Sequence, residues 1–277
     1  LRREILDRAE QFVASRQLGS NVYRSLGKPP TVLFRQYEDG GRPRHGNFHP
    51  ASYESIVRDE QWRQRLEKAH SQKSRSLRPA NQAAAKELDS CTSSDALLMN
   101  VFCHPSAVEN AALAKLFGCK HLPKPQFGFR ARLPLSDGKR EPRSTEIDLC
   151  FGTEERPKVL VEAKLTEGNF TACPKARIER YQSFDEVFDR DSLPTTADGY
   201  QHYQLLRNVL AAHAFGASFD LLCDQRRPDL VRAWDQVSKG IRLHGLRNRC
   251  RVVSWQKIAA VLDVGLQEFL EEKYGIV

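Results

Sequence analysis

The sequence predicts an α/β protein: a mixed β-sheet core flanked by helices, with an extra helical segment at the N-terminus. Three observations carry this. Three strand-like segments with side chains alternating at period two follow one another between residues 126 and 165. Helical and short strand segments then alternate toward the C-terminus, as a mixed sheet requires. Helical periodicity dominates the chain before residue 120.

Residues 1–18 read as an amphipathic helix, with Ile5, Leu6, Ala9, Phe12 and Val13 on one side. Residues 35–50 hold Gly40-Gly41, two prolines and three arginines, the composition of a loop. Helical spacing returns over 52–70 through Tyr53, Ile56, Val57, Trp62 and Leu66. The polar stretch 71–79 looks like a boundary, which divides the chain into a basic helical segment, 1–80, and a core, 81–277. A second helical region runs over 81–88. Ser93 or Ser94 can cap a helix over 95–102, and Ser106 can cap another reaching Phe117. Strands are expected at 126–133, 144–151 and 158–165. Helices follow at 177–188 and 200–214, strands at 219–223 and 251–255, and a closing helix at 257–274.

Composition narrows the function. The chain of 277 residues carries a net charge of +8, which favours polyanionic partners, nucleic acid first among them. No apolar run approaches the roughly 20 residues that span a bilayer, and the first residues are charged, so the expected location is the cytoplasm and no membrane partner is expected. The seven cysteines form no C-x-x-C pair, which argues against a zinc site or a disulfide framework.

The informative segment runs from Thr145 to Leu165. If its hairpin folds symmetrically about Glu155, Asp148 lies opposite Glu162 and Glu146 opposite Lys164. One face then carries Ile147, Leu149, Phe151, Val159, Val161 and Ala163; the other carries Glu146, Asp148, Cys150, Leu160, Glu162 and Lys164. Two like charges directly opposed destabilise a sheet unless something compensates. A divalent cation turns that repulsion into ligation, and two carboxylates, a carbonyl and waters suit Mg²⁺. The same alternation also suits an exposed hairpin whose polar face meets water. The apolar run Val159-Leu160-Val161 argues instead for a strand covered on both faces.

Asp148, thirteen intervening residues and then Glu162-Ala163-Lys164 resembles the signature of the PD-(D/E)XK nuclease superfamily, over about residues 81–255. The name-giving proline is replaced by Ile147, which leaves the acids and the lysine intact. The resemblance implies a restriction-endonuclease-like fold and a divalent-metal-dependent endonuclease acting on DNA, with RNA left open. It implies Mg²⁺ or Mn²⁺ held by Asp148, Glu162 and the Ala163 backbone carbonyl, with Lys164 orienting the attacking water. Glu87 and Glu146 are candidates for a further acid, and Gln204 for a supporting amide on a later helix. Arg130, Arg143, Lys175 and Arg177 are candidate DNA contacts, since guanidinium and ammonium groups suit phosphates. A homodimer is a further expectation, carried by the resemblance alone. The alternative reading is a non-catalytic nucleic-acid-binding protein that keeps the fold.

Overall fold

The structure, a computed structural model, describes residues 1–25, 31–68, 86–136, 138, 143–168 and 170–277. The chain divides into two compact units, Leu1–Leu122 with Trp255–Val277, and Pro123–Ser254. The polar stretch 71–79, where the sequence suggests a boundary at residue 80, lies outside the described residues. The changeovers between the two units, at Leu122/Pro123 and Ser254/Trp255, fall where the sheet begins and ends.

In the first unit, the helix Arg2–Ser15 buries Ile5, Ala9, Phe12 and Val13 and packs against the helix Val264–Tyr274. The 35–50 segment is not a loop throughout. Gln36–Asp39 and Arg42–His45 pair antiparallel about Gly40 and Gly41, whose φ angles of +56° and +72° are those of a tight hairpin turn. The helix expected over 52–70 breaks at Asp59, whose carboxylate accepts from Trp62 N–H and starts a second helix, Glu60–Arg65. Ser93 caps Ser94–Phe102 as expected. Ser106 does not cap a helix to Phe117: His104 and Asn110 cap two short helices, Pro105–Val108 and Ala111–Leu116. The closing helix is likewise two, because Asp263 caps Val264–Tyr274 after Trp255–Ala259.

The second unit is built on one five-stranded sheet. Its strands are β1 (Pro125–Leu133), β2 (Arg143–Gly152), β3 (Pro157–Ala163), β4 (Ser218–Cys223) and β5 (Cys250–Ser254), in spatial order β5-β4-β3-β2-β1. The first three pair antiparallel as a meander, and β3, β4 and β5 run parallel. Parallel neighbours need crossovers, which a helix supplies. The first is α1 (Tyr203–Phe215), and the second is α2 (Pro228–Lys239). No helix is expected between the strands at 219–223 and 251–255, yet Leu230, Ala233, Trp234 and Val237 recur there at helical spacing behind Pro228 at the first turn. The helix expected over 177–188 is two four-residue turns, Lys175–Ile178 and Phe184–Val187.

One sheet face packs under α1. Cys150, Leu160 and Leu221 from the strands share a core with Leu205, Leu206, Val209 and Leu210 from the helix. Each large apolar side chain buried this way contributes roughly 1.5–3 kcal/mol. That packing fixes α1 over the middle of the sheet.

A buried acid on β4 gives the unit a pH dependence. Asp220 is fully buried and accepts two hydrogen bonds from Arg251 on β5, both at 3.0 Å. Burial pushes its carboxyl up to about 6 from 3.8, and Arg251 pulls against that shift. Between these values the folded chain keeps a proton that the unfolded chain releases, so stability falls as pH rises. The shift corresponds to about 3 kcal/mol, lost by the time pH passes the folded value. The stability difference between the parent and Asp220→Asn, from urea unfolding, is expected to shift against the parent from pH 4 to 6 and to level off above. A flat difference over that range would remove Asp220 as its source.

Candidate active site

The hairpin register expected from the sequence is the one observed. Leu149 pairs with Val161, Cys150 with Leu160 and Phe151 with Val159, and the register shifts at Gly152, where the turn begins. On the other side of β2, the pairing with β1 passes from Phe127–Leu149 to Phe129–Ile147, stepping over Gly128 and Asp148. Gly128 has φ +69°, a backbone conformation that glycine adopts without a Cβ conflict. The regular ladder is thus interrupted where Asp148 stands. Asp148 Oδ2 accepts the Ala163 N–H at 2.9 Å, so the side chain holds a backbone group of the neighbouring strand.

Glu162 is fully buried, which decides against the exposed hairpin. Its carboxylate gathers three donors. Lys164 Nζ donates to Oε1 at 2.7 Å, Gln204 Nε2 to Oε1 at 2.6 Å, and Asn208 Nδ2 to Oε2 at 3.0 Å. A carboxylate has about four acceptor positions, so these three leave room for one more partner, on the Oε2 side. Gln204 and Asn208 lie one turn apart on α1 and therefore share a face. Both amides meet the buried glutamate rather than water. Gln204, the candidate supporting amide, donates to Glu162. Asn208 is fully buried, and nothing in the sequence marks it so.

Lys164 follows β3 directly, and its N–H donates to the Leu222 carbonyl of β4 at 2.8 Å, which anchors its backbone. Its ammonium also lies 5.4 Å from the centre of the Phe170 ring. Burial works to lower its pKa, but Glu162, Asp148 and Glu167 outweigh burial and hold the ammonium well above the usual lysine value. The group therefore stays charged. The lysine expected opposite Glu146 thus makes a close contact with Glu162. Glu146 is exposed and stands opposite Arg130 on β1.

The remaining candidates distribute as follows. Lys175 and Arg177 are exposed, with Lys175 Nζ 5.3 Å from the Tyr200 ring centre and Arg177 4.8 Å from that of Tyr203. Tyr203 precedes Gln204, and Arg207 stacks on it too, at 5.2 Å, while donating to the Ser144 carbonyl. Arg130 is exposed, and Arg143 begins β2, its side chain outside the described set. Glu87 lies in the first unit, on the short turn Glu87–Asp89, whereas Asp148, Glu162 and Lys164 all belong to the second.

Among the described residues no three His, Cys, Asp or Glu side chains form a cage for a metal ion. Mg²⁺ does not require one, since it binds through one or two carboxylates and keeps waters or takes substrate phosphates. Two acids from adjacent strands, one with acceptor capacity remaining, fit that donor set.

A mixed sheet flanked by helices, in this order and carrying these residues on its second and third strands, is a restriction-endonuclease-like fold. The chain belongs to the family described as restriction endonuclease associating with ARP, whose model matches residues 27–275. No curated protein and no solved structure matches the chain. No helix among the described residues is long and apolar enough to cross a membrane.

Proposed function

We propose that this chain is a divalent-metal-dependent endonuclease of the PD-(D/E)XK type that hydrolyses DNA phosphodiester bonds. The observation that carries the reading is the buried Glu162 carboxylate, held by an ammonium and two amides one strand away from Asp148. Such a constellation has an evident use in phosphodiester hydrolysis and little in packing, where an apolar side chain would serve better.

Asp148 and Glu162 would hold Mg²⁺ or Mn²⁺, with the Ala163 carbonyl as a further ligand. The ion supplies a bound water of lowered pKa and neutralises phosphoryl oxygens. The residues do the rest. Gln204 and Asn208 orient the Glu162 carboxylate. The Lys164 ammonium, fixed by Glu162 and its backbone bond to Leu222, orients the attacking water and stabilises charge developing on the phosphate. Arg130, Arg143, Lys175 and Arg177 provide cations for the DNA backbone. Glu146 and Glu87 remain the candidates for an additional acid, and Glu146 shares a strand with Asp148. A homodimer that cuts both strands, action on RNA, a cytoplasmic location and an association with ARP belong to the same proposal.

The engagement of both acids by the chain's own donors, the Ala163 N–H on Asp148 and three side chains on Glu162, favours a second reading: a nucleic-acid-binding protein that keeps the fold without catalysis. One experiment separates them. The purified chain is incubated with plasmid and linear DNA in Mg²⁺, in Mn²⁺ and in EDTA, while calorimetry follows Mn²⁺ binding. Cleavage that EDTA abolishes supports the nuclease. Salt-sensitive DNA binding with neither cleavage nor Mn²⁺ uptake would replace it with the second reading.

A further inference from the structure

His202 joins the two-residue strand Gly199–Tyr200 to α1, and its backbone is left-handed, with φ +59° and ψ +39°. Glycine is the residue suited to that conformation, because a Cβ crowds the backbone there. A side chain kept at such a position points to a task for it. The ring is buried, and its neighbours suggest the task. Nε2 hydrogen-bonds Gln236 Oε1 on α2 at 2.9 Å. The ring meets Phe170 edge-on, with centroids 6.1 Å apart and planes at 90°. Phe170 in turn lies against the Lys164 ammonium. Nδ1 is buried with no hydrogen-bond partner among the described residues.

The backbone around the histidine reinforces this arrangement. Tyr203 N–H donates to the Thr171 carbonyl at 2.9 Å, and Cys173 and Tyr200 exchange both backbone hydrogen bonds. The strap that carries Phe170 is therefore tied to the entry of α1, the helix that presents Gln204 and Asn208 to Glu162. His202 sits at the junction of both supports. Its backbone sets where α1 starts, and its ring backs the aromatic wall behind Lys164. A glycine would satisfy the first demand and leave the second unmet.

We propose that His202 is a positioning residue for Lys164, acting through Phe170 while bridging to α2 through Gln236. Its catalytic consequence rests on the nuclease reading; the placement of the ammonium does not. The tests are His202→Gly, His202→Ala, His202→Asn and Phe170→Leu. Glycine relieves the backbone, so His202→Gly is expected to unfold at no lower urea concentration than His202→Ala. Both are expected to lower kcat roughly 10- to 100-fold with KM unchanged, the scale of a small misplacement near the chemistry. Asparagine tolerates the left-handed backbone and keeps a polar group toward Gln236, so it should lose less. Independently of cleavage, the Lys164 side-chain ¹⁵N resonance, without DNA or metal, is expected to shift in His202→Gly and in Phe170→Leu. A parent chain that cleaves nothing would sink the nuclease reading while this resonance still decides the positioning. A folded His202→Gly with an unmoved Lys164 resonance would overturn the proposal, whatever happened to its stability.

Discussion

Lys164→Met is expected to reduce single-turnover DNA cleavage by about 10²–10³-fold, the effect of losing one preorganised donor at a developing charge. Methionine keeps the unbranched stem and much of the packing against Phe170, so the change isolates the ammonium. DNA affinity should change little, because the ammonium is largely buried. The variant also leaves a fully buried carboxylate facing two neutral amides in place of an ammonium and two amides. Removing one member of a buried ion pair destabilises by roughly 3–5 kcal/mol, and the bonds from Gln204 and Asn208 should hold this case at or below the lower end. Stopped-time cleavage assays and urea unfolding read the two effects separately. Undiminished cleavage by a folded Lys164→Met protein would remove Lys164 from the chemistry.

Glu162→Gln should be more disruptive than its near-identical shape suggests. Three donors converge on the carboxylate, from Lys164, Gln204 and Asn208. A glutamine offers one acceptor oxygen where there were two, and brings two N–H donors of its own into a site already lined with donors. At least one buried donor then faces another donor. An unmet buried polar group costs about 1–3 kcal/mol, more when it is charged, and the Lys164 ammonium loses the Glu162 charge as well. We expect a loss of about 3 kcal/mol in stability, and cleavage lowered by at least about 10³-fold through loss of a charged ligand and of the arrangement around it. Urea unfolding tests the first part and cleavage in Mn²⁺ the second. Glu162→Gln with parental stability would mean that the three donors do not depend on the charge they surround.

The two substitutions probe different links. Lys164→Met removes a charge and keeps the acceptor cluster, whereas Glu162→Gln keeps the volume and inverts the hydrogen-bond polarity. A catalytic role for the lysine alone gives a large kinetic effect in the first with a modest structural one. A structural role for the cluster alone gives a large loss of stability in both and no separation between them.

Much of this molecule could be read from residue order. Strand alternation between 126 and 165 identified the meander, and the symmetric hairpin about Glu155 set the register that the structure shows from Leu149 to Phe151. Parity then put Asp148, Glu162 and Lys164 on one side, because a strand has only two faces. The apolar run before Glu162 already said that the strand was covered. Local signals also sufficed where one side chain caps one helix, as at Ser93. They misled where a cap or a turn lies inside an apparently continuous pattern: Asp59 and Asp263 each start a new helix, and Gly40-Gly41 folds a hairpin out of a loop-like composition.

What periodicity could not decide was which polar residues meet. On α1, Gln204 and Asn208 have the spacing of any solvated stripe, and only the parallel crossover laid across β3 brings that stripe onto Glu162. The contact between Lys164 and Glu162, two residues away, is decided in the same way, by the packing that buries the glutamate. His202 carries no sequence signal for its left-handed backbone or for its contact with Phe170. Alternation and capping are local and follow from dihedral angles and neighbouring side chains. The company of a buried charge depends on which distant segments displace water from it, and that is settled when the helix packs on the sheet.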